Sequence, residues 1–173
     1  MDLIQSLKEQ AKGLGKKIVL PEFEDSRVIE AAAAILKEGF CVPVLVGAED
    51  KIQAAATAAG VSLEGAEIIN PATFGELNKM VDTFVELRAK KGMTPEKAHA
   101  TMTGDALFFG AMLVRLGLAD GMVAGSASPT ANVLRAAIQV VGTQAGLKTV
   151  SSSMLVITDK KEYGDNGLLI FSD

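Results

Sequence analysis

One cysteine and one histidine occur in 173 residues, and those two shortages exclude whole classes of chemistry. Cys41 has no second thiol, so no internal disulfide can form. His99 has no second histidine with which to build a triad or a metal cluster; it lies among small residues and reads as structural or exposed, and no metal site is expected. Long apolar runs are missing too: 49% of the residues are apolar, yet no run approaches the roughly 20 that a membrane helix needs. The opening Met-Asp-Leu-Ile-Gln-Ser-Leu-Lys-Glu lacks the basic and apolar regions of a signal peptide and reads as an amphipathic helix. A soluble, globular, cytoplasmic protein that leaves membranes alone is the expectation. Basic residues are in deficit, 17 against 21 acidic, which argues against a nucleic-acid binder with a broad basic face. A small anionic ligand stays open, because a few well-placed Arg and Lys suffice. Gly-x-Gly-x-x-Gly after a strand is also absent; Gly13-Leu14-Gly15 precedes a strand, so an NAD enzyme is disfavoured.

What is present centres on residues 119 to 143. A short apolar run, Met122 to Ala124, ends in a loop of small residues, and a long apolar helix pattern begins at Pro129. Gly125 can take backbone angles closed to other residues, Ser128 suits an N-cap, and Pro129 suits the first helical position. The helix would then turn free amides and its positive dipole end towards the loop, as at many phosphate sites. Ser128, Asn132, Arg135 and Gln139 follow at spacings of four, three and four, one polar stripe on a helix expected to be packed on most other sides. A guanidinium there suits carboxylate or phosphate. An ordinary amphipathic helix with its polar stripe in water is the competing reading.

The rest of the chain alternates strands and helices. Strands are expected at Lys17 to Leu20, Val42 to Val46 and Glu67 to Ile69; helices at Val28 to Lys37 (closed by Gly39), Asp50 to Ala59, Phe74 to Lys90 and Ala106 to Leu116, with a capped start at Thr94-Pro95-Glu96-Lys97. Thr149 to Thr158 reads as a buried strand from whose start Ser151 and Ser152 could reach a ligand, and Leu168 to Phe171 begins another. The fold class is therefore α/β: a mostly parallel sheet with helices on both faces, three layers deep. Arg88, followed by Lys90 and Lys91, reads from pattern alone as a solvated basic helix end.

Several segments together resemble phosphate acetyltransferase (phosphotransacetylase), within the phosphate acetyl/butyryltransferase family. They are Ile-Val-Leu-Pro-Glu at 18 to 22, Val-Leu-Val-Gly at 44 to 47, Glu-Leu-Arg at 86 to 88, Lys-Gly-Met-Thr-Pro-Glu at 91 to 96 and Ala-Asp-Gly-Met-Val-Ala-Gly at 119 to 125. Ala-Asn-Val-Leu-Arg at 131 to 135, Lys-Thr-Val-Ser-Ser at 148 to 152 and Phe-Ser-Asp at the end complete the set. The resemblance implies an isocitrate/isopropylmalate dehydrogenase-like architecture and reversible acetyl transfer between acetyl-CoA and phosphate. The coenzyme A thiolate would attack acetyl phosphate directly, with no cofactor, metal or covalent enzyme intermediate. It implies Arg88 and Arg135 as the catalytic arginines for substrate phosphate and coenzyme A. Gly125, Ser126, Ser128, Thr130, Asn132, Ser151 and Ser152 would contact substrate.

The resemblance also implies a homodimer whose chain is about twice as long. Residues 1–148 would form the first domain, residues 149–173 would start the second, and the transition-state donors and general base would lie beyond. On that expectation these 173 residues alone are inactive. Phosphate butyryltransferase, or a non-catalytic module that binds a phosphate-bearing metabolite, are the alternatives.

Overall fold

The computed structural model describes residues 3–173; Met1 and Asp2, which open the stretch read above as a helix, lie outside them. The described chain divides into two units, one running to Gly142 and the other Thr143–Asp173. In chain order the first unit holds α1 (Leu3–Ala11), β1 (Lys17–Leu20), α2 (Ser26–Glu38), β2 (Val42–Val46), α3 (Glu49–Ala59), β3 (Glu67–Ile69), α4 (Leu77–Arg88), α5 (Pro95–Gly104), α6 (Ala106–Arg115), β4 (Gly121–Met122) and α7 (Thr130–Ala136), which runs into a π turn, Ala137–Val141. His99 is exposed on α5.

The four strands form one parallel sheet in the order β3-β2-β1-β4. Its central strands are unbroken apolar runs because both faces are covered. Val19, Val44 and Val46 point into a core shared with α4, α5, α6 and the π turn, while Leu20 and Leu45 point into a second core against α2 and α3. Each such fully buried side chain is worth about 1.5–3 kcal/mol, and the alternation along the strands places helices on both faces as expected.

Two local features set the frame for the site. Gly39 closes α2 at φ 71°, donating its amide back to the Ile35 carbonyl, the left-handed cap that glycine adopts without a Cβ penalty. Gly110 lets α6 lie close on the sheet: a Cβ there would stand 2.9 Å from Met122 Sδ and 3.0 Å from Val19 Cγ1. Residues Leu107 to Leu113 of that helix are all buried.

The second unit corrects one expectation. The apolar run after Thr149 forms β5 (Ser153–Ile157), which pairs antiparallel with β6 (Leu168–Ser172) and is exposed at every residue. It is not a buried strand of the parallel sheet, because the tight turn through Tyr163 to Gly167 returns the chain onto it as a hairpin. An apolar strand of this length reads the same in a buried sheet and in an exposed ribbon.

Candidate functional site

From β1 the chain steps to β2 and β3 on one side, and β4 then joins on the other side of β1. Ligand crevices of open parallel sheets form at such a reversal, outside the carboxyl ends of the strands. Here the two flanking loops are residues 21–25, after β1, and residues 123–129, after β4.

Pro21 and Glu22 continue β1 into the interior, and Glu22 is only 6% exposed, the buried charged side chain of the described residues. A buried carboxylate is costly unless hydrogen-bonded, and the loop after β4 supplies the partners. Glu22 Oε2 accepts the amides of Gly125 at 2.7 Å and Ser126 at 2.8 Å, and Oε1 accepts those of Ala127 at 3.2 Å and Ser128 at 2.7 Å. Gly125 enters this turn at φ 106°, a conformation that favours glycine. Burial pushes the Glu22 carboxyl up, but the hydroxyl of Ser128 and the amides of Ser126, Gly125 and Ser128 outweigh it, so the group sits below its ordinary 4.5.

Asp25 ties the same two loops a second time. It caps α2 by accepting the Arg27 amide at 3.0 Å and takes the Arg27 guanidinium on both oxygens, with Nε 3.0 Å from Oδ1 and Nη2 2.6 Å from Oδ2. It also accepts the Ser126 hydroxyl, while Arg27 Nη2 donates to the Ser126 carbonyl at 2.9 Å. The Arg27 guanidinium first, and then the Ser126 hydroxyl, hold the Asp25 carboxyl well below the usual carboxylate range. Between the loops lies a cavity of about 220 Å³ with Leu20, Val28 and Val123 on its apolar side and Glu22, Arg27 and Ser126 on its polar side.

The sequence-identified residues fall in different places. Ser128 is not the N-cap: its amide serves Glu22, Pro129 takes the cap position and the helix begins at Thr130, which is exposed. The loop amides are not free either, since Glu22 holds four of them. Asn132 and Arg135 do meet, Arg135 Nη1 donating to Asn132 Oδ1 at 3.1 Å. Both are exposed, and Arg135 forms no ion pair with any described residue.

Gln139 leaves the stripe because the helix widens into the π turn; it is half-buried and lines another cavity with Phe84, Met93 and Phe108. Nor is this helix packed on most sides, for Leu134, Ile138 and Val141 are exposed and only Ala136 and Val140 are buried. Arg88 ends α4, half-buried, with its Nε buried and without a hydrogen-bond partner among the described residues. Ser151 and Ser152 belong to the second unit and are exposed; Ser152 exchanges backbone hydrogen bonds with Asp173 at 3.2 and 3.0 Å.

Glu22, Asp25 and Arg27 were not singled out from sequence. Their signal was a run of three acids and an arginine, Glu-Phe-Glu-Asp-Ser-Arg, placed directly after an apolar strand and before a helix. Among the described residues no group of three or more His, Cys, Asp or Glu side chains is placed to hold a metal. No described helix is long and apolar enough to cross a membrane.

Comparison with known proteins identifies the family. The chain is 44% identical over its whole length to the phosphate acetyltransferase of Thermoanaerobacterium thermosaccharolyticum and 42% identical to that of Acetivibrio thermocellus, covering 52% and 51% of those proteins. Among solved structures, a phosphotransacetylase from Streptococcus pyogenes superposes with a TM-score of 0.86 at 33% identity, over 98% of this chain and 51% of that one. The EutD phosphotransacetylase of Staphylococcus aureus gives 0.83 at 36% identity, over 98% and 49%. The chain thus spans about half the length of the curated relatives it matches. Residues 2–173 match the family model described as phosphate acetyl/butaryl transferase, and the chain belongs to that family.

Proposed function

We propose that this chain forms the substrate-binding part of a phosphate acetyltransferase, working on acetyl-CoA, coenzyme A, phosphate and acetyl phosphate. The observation that carries this reading is Arg135: a solvent-facing guanidinium, hydrogen-bonded to a neutral amide and lacking a carboxylate partner among the described residues, on the helix that leaves the switch-point loop. Arg88, with its buried unpartnered Nε, is the second cation. Both meet phosphate groups of the substrates, with Asn132 beside Arg135 and Thr130 at the start of the same helix.

The reaction gives these residues their work. The thiolate sulfur of coenzyme A attacks the carbonyl carbon of acetyl phosphate, a C–S bond forms, the C–O bond to phosphate breaks, and phosphate departs with the electron pair. Thiolate, acetyl phosphate and the phosphates of coenzyme A are all anionic, so bringing them together costs Coulomb energy. Two guanidinium forks offset it and fix the geometry. Glu22 and Asp25 are committed to the loop, so neither is available to take the thiol proton. This part of the protein binds and orients. The protein works as a homodimer in the cytoplasm.

The test is calorimetric titration of coenzyme A and inorganic phosphate into these 173 residues, beside an assay for acetyl phosphate formed from acetyl-CoA and phosphate. Saturable binding without turnover is expected. Absence of binding by both ligands overturns the reading.

A further inference from the structure

We infer that Glu22 is the resident anion of the 125–128 loop, filling the amide nest from inside, so that ligand phosphate is met by Arg135 and Asn132 rather than by the loop's backbone. The second half of this inference rests on the function proposed above; the first half does not.

A turn that aims consecutive amides at one point is an anion site by construction. In this turn the point is already taken. Both oxygens of the Glu22 carboxylate are used, each accepting two amides, and the longest of the four bonds is 3.2 Å. The carboxylate is 6% exposed and is delivered by buried Pro21 from the end of β1, so it is part of the sheet's framework and not a side chain that drifts into an empty site.

A phosphate entering the nest would have to expel this group. Expulsion would strand a buried charge without partners, a costly event, and until it happened the two anions would face each other at close range. The surroundings do not compensate. Asp25, from the facing loop, sets a second carboxylate against Ser126, and the nearby cation, Arg27, is engaged by it. Ser126 spends its hydroxyl on Asp25 and its carbonyl on Arg27, and Ser128 spends its amide on Glu22.

Arg135 offers the opposite electrostatics, a guanidinium whose hydrogen-bond partner among the described residues is the Asn132 amide oxygen. Glu22 is therefore a positioning residue: it closes the loop into the shape from which α7 departs, and it turns phosphate away from the backbone towards the side chains of that helix.

The experiment is a nuclear magnetic resonance titration of the isotopically labelled 173-residue chain with inorganic phosphate and, separately, with sodium formate as a free carboxylate. In wild type the amide resonances of Gly125, Ser126, Ala127 and Ser128 should stay in place with either anion, while the Arg135 side-chain Nε–H moves saturably with phosphate. In Glu22→Ala the same four amides should shift saturably with formate, and the Tm should rise with it, neither happening in wild type.

Saturable movement of the four amides in wild type on adding phosphate overturns the inference. A Glu22→Ala chain that melts like wild type and takes up no formate overturns it as well. If no wild-type resonance answers phosphate but formate still enters Glu22→Ala, the resident-anion assignment is upheld and the phosphate reading of Arg135 is lost. Should Glu22→Ala fail to fold, the wild-type titration decides alone.

Discussion

The Arg27 guanidinium meets both oxygens of the Asp25 carboxylate, 3.0 Å from Oδ1 through Nε and 2.6 Å from Oδ2 through Nη2. Asp25 simultaneously caps α2 and receives the Ser126 hydroxyl, so one side chain joins a helix start to a loop 101 residues away. Asp25→Ala removes the cap and the tie together. A Tm lower by about 2–8 °C is expected, and circular dichroism melts check it. A Tm within experimental error of wild type would show that the loops hold each other without it.

Glu22 makes a pH-dependent contribution whose sign follows from its lowered pKa. A carboxylate held below its unfolded value stabilises the fold above about 4.5 and ceases to do so as the pH falls through the lowered folded value. Wild type should therefore exceed Glu22→Gln in Tm by a constant margin at neutral pH, with the margin narrowing below 4.5. Melts of both proteins from pH 7 to pH 3 test this, and a margin that widens on acidification contradicts it.

Gly110 sits where α6 touches the sheet, with Val19 Cγ1 and Met122 Sδ at 3.0 and 2.9 Å from a Cβ placed there. Alanine normally favours a helix interior over glycine by about 1 kcal/mol, but here the methyl must push a rigid core valine. Overpacking of this kind costs about 1–3 kcal/mol, so Gly110→Ala should be neutral to destabilising, read by urea denaturation. A clear gain in stability would mean that the helix and sheet are less tightly apposed.

The parallel sheet was legible because its determinants are local. Ile18 to Leu20 and Val42 to Val46 are apolar without alternation, as strands buried on both faces must be, and Gly39 marks the end of α2. The Asn132–Arg135 pair was legible from its i, i+3 spacing. Glu22 was not, since its direction depends on a loop 103 residues further on that lies beside β1 only in the folded sheet. The π turn has no residue signature in Ala137–Val141; its last carbonyl is met by Arg115 at 2.9 Å, a partner from a different helix. The hairpin of β5 and β6 was misplaced because an apolar strand does not state which sheet it joins.

The most direct test of Arg135 as the substrate-anion residue is calorimetric titration of coenzyme A into wild type, Arg135→Lys and Arg135→Ala, with melts of all three as the control for folding. Loss of a charge-assisted contact at an exposed site, partly screened by water, is worth about 1.5 kcal/mol, or roughly tenfold in affinity. The expected result is a Kd at least about tenfold weaker in Arg135→Ala, a smaller loss in Arg135→Lys, which keeps the charge without the planar fork, and superimposable melts. Equal affinities in the three proteins would contradict the ligand role of Arg135.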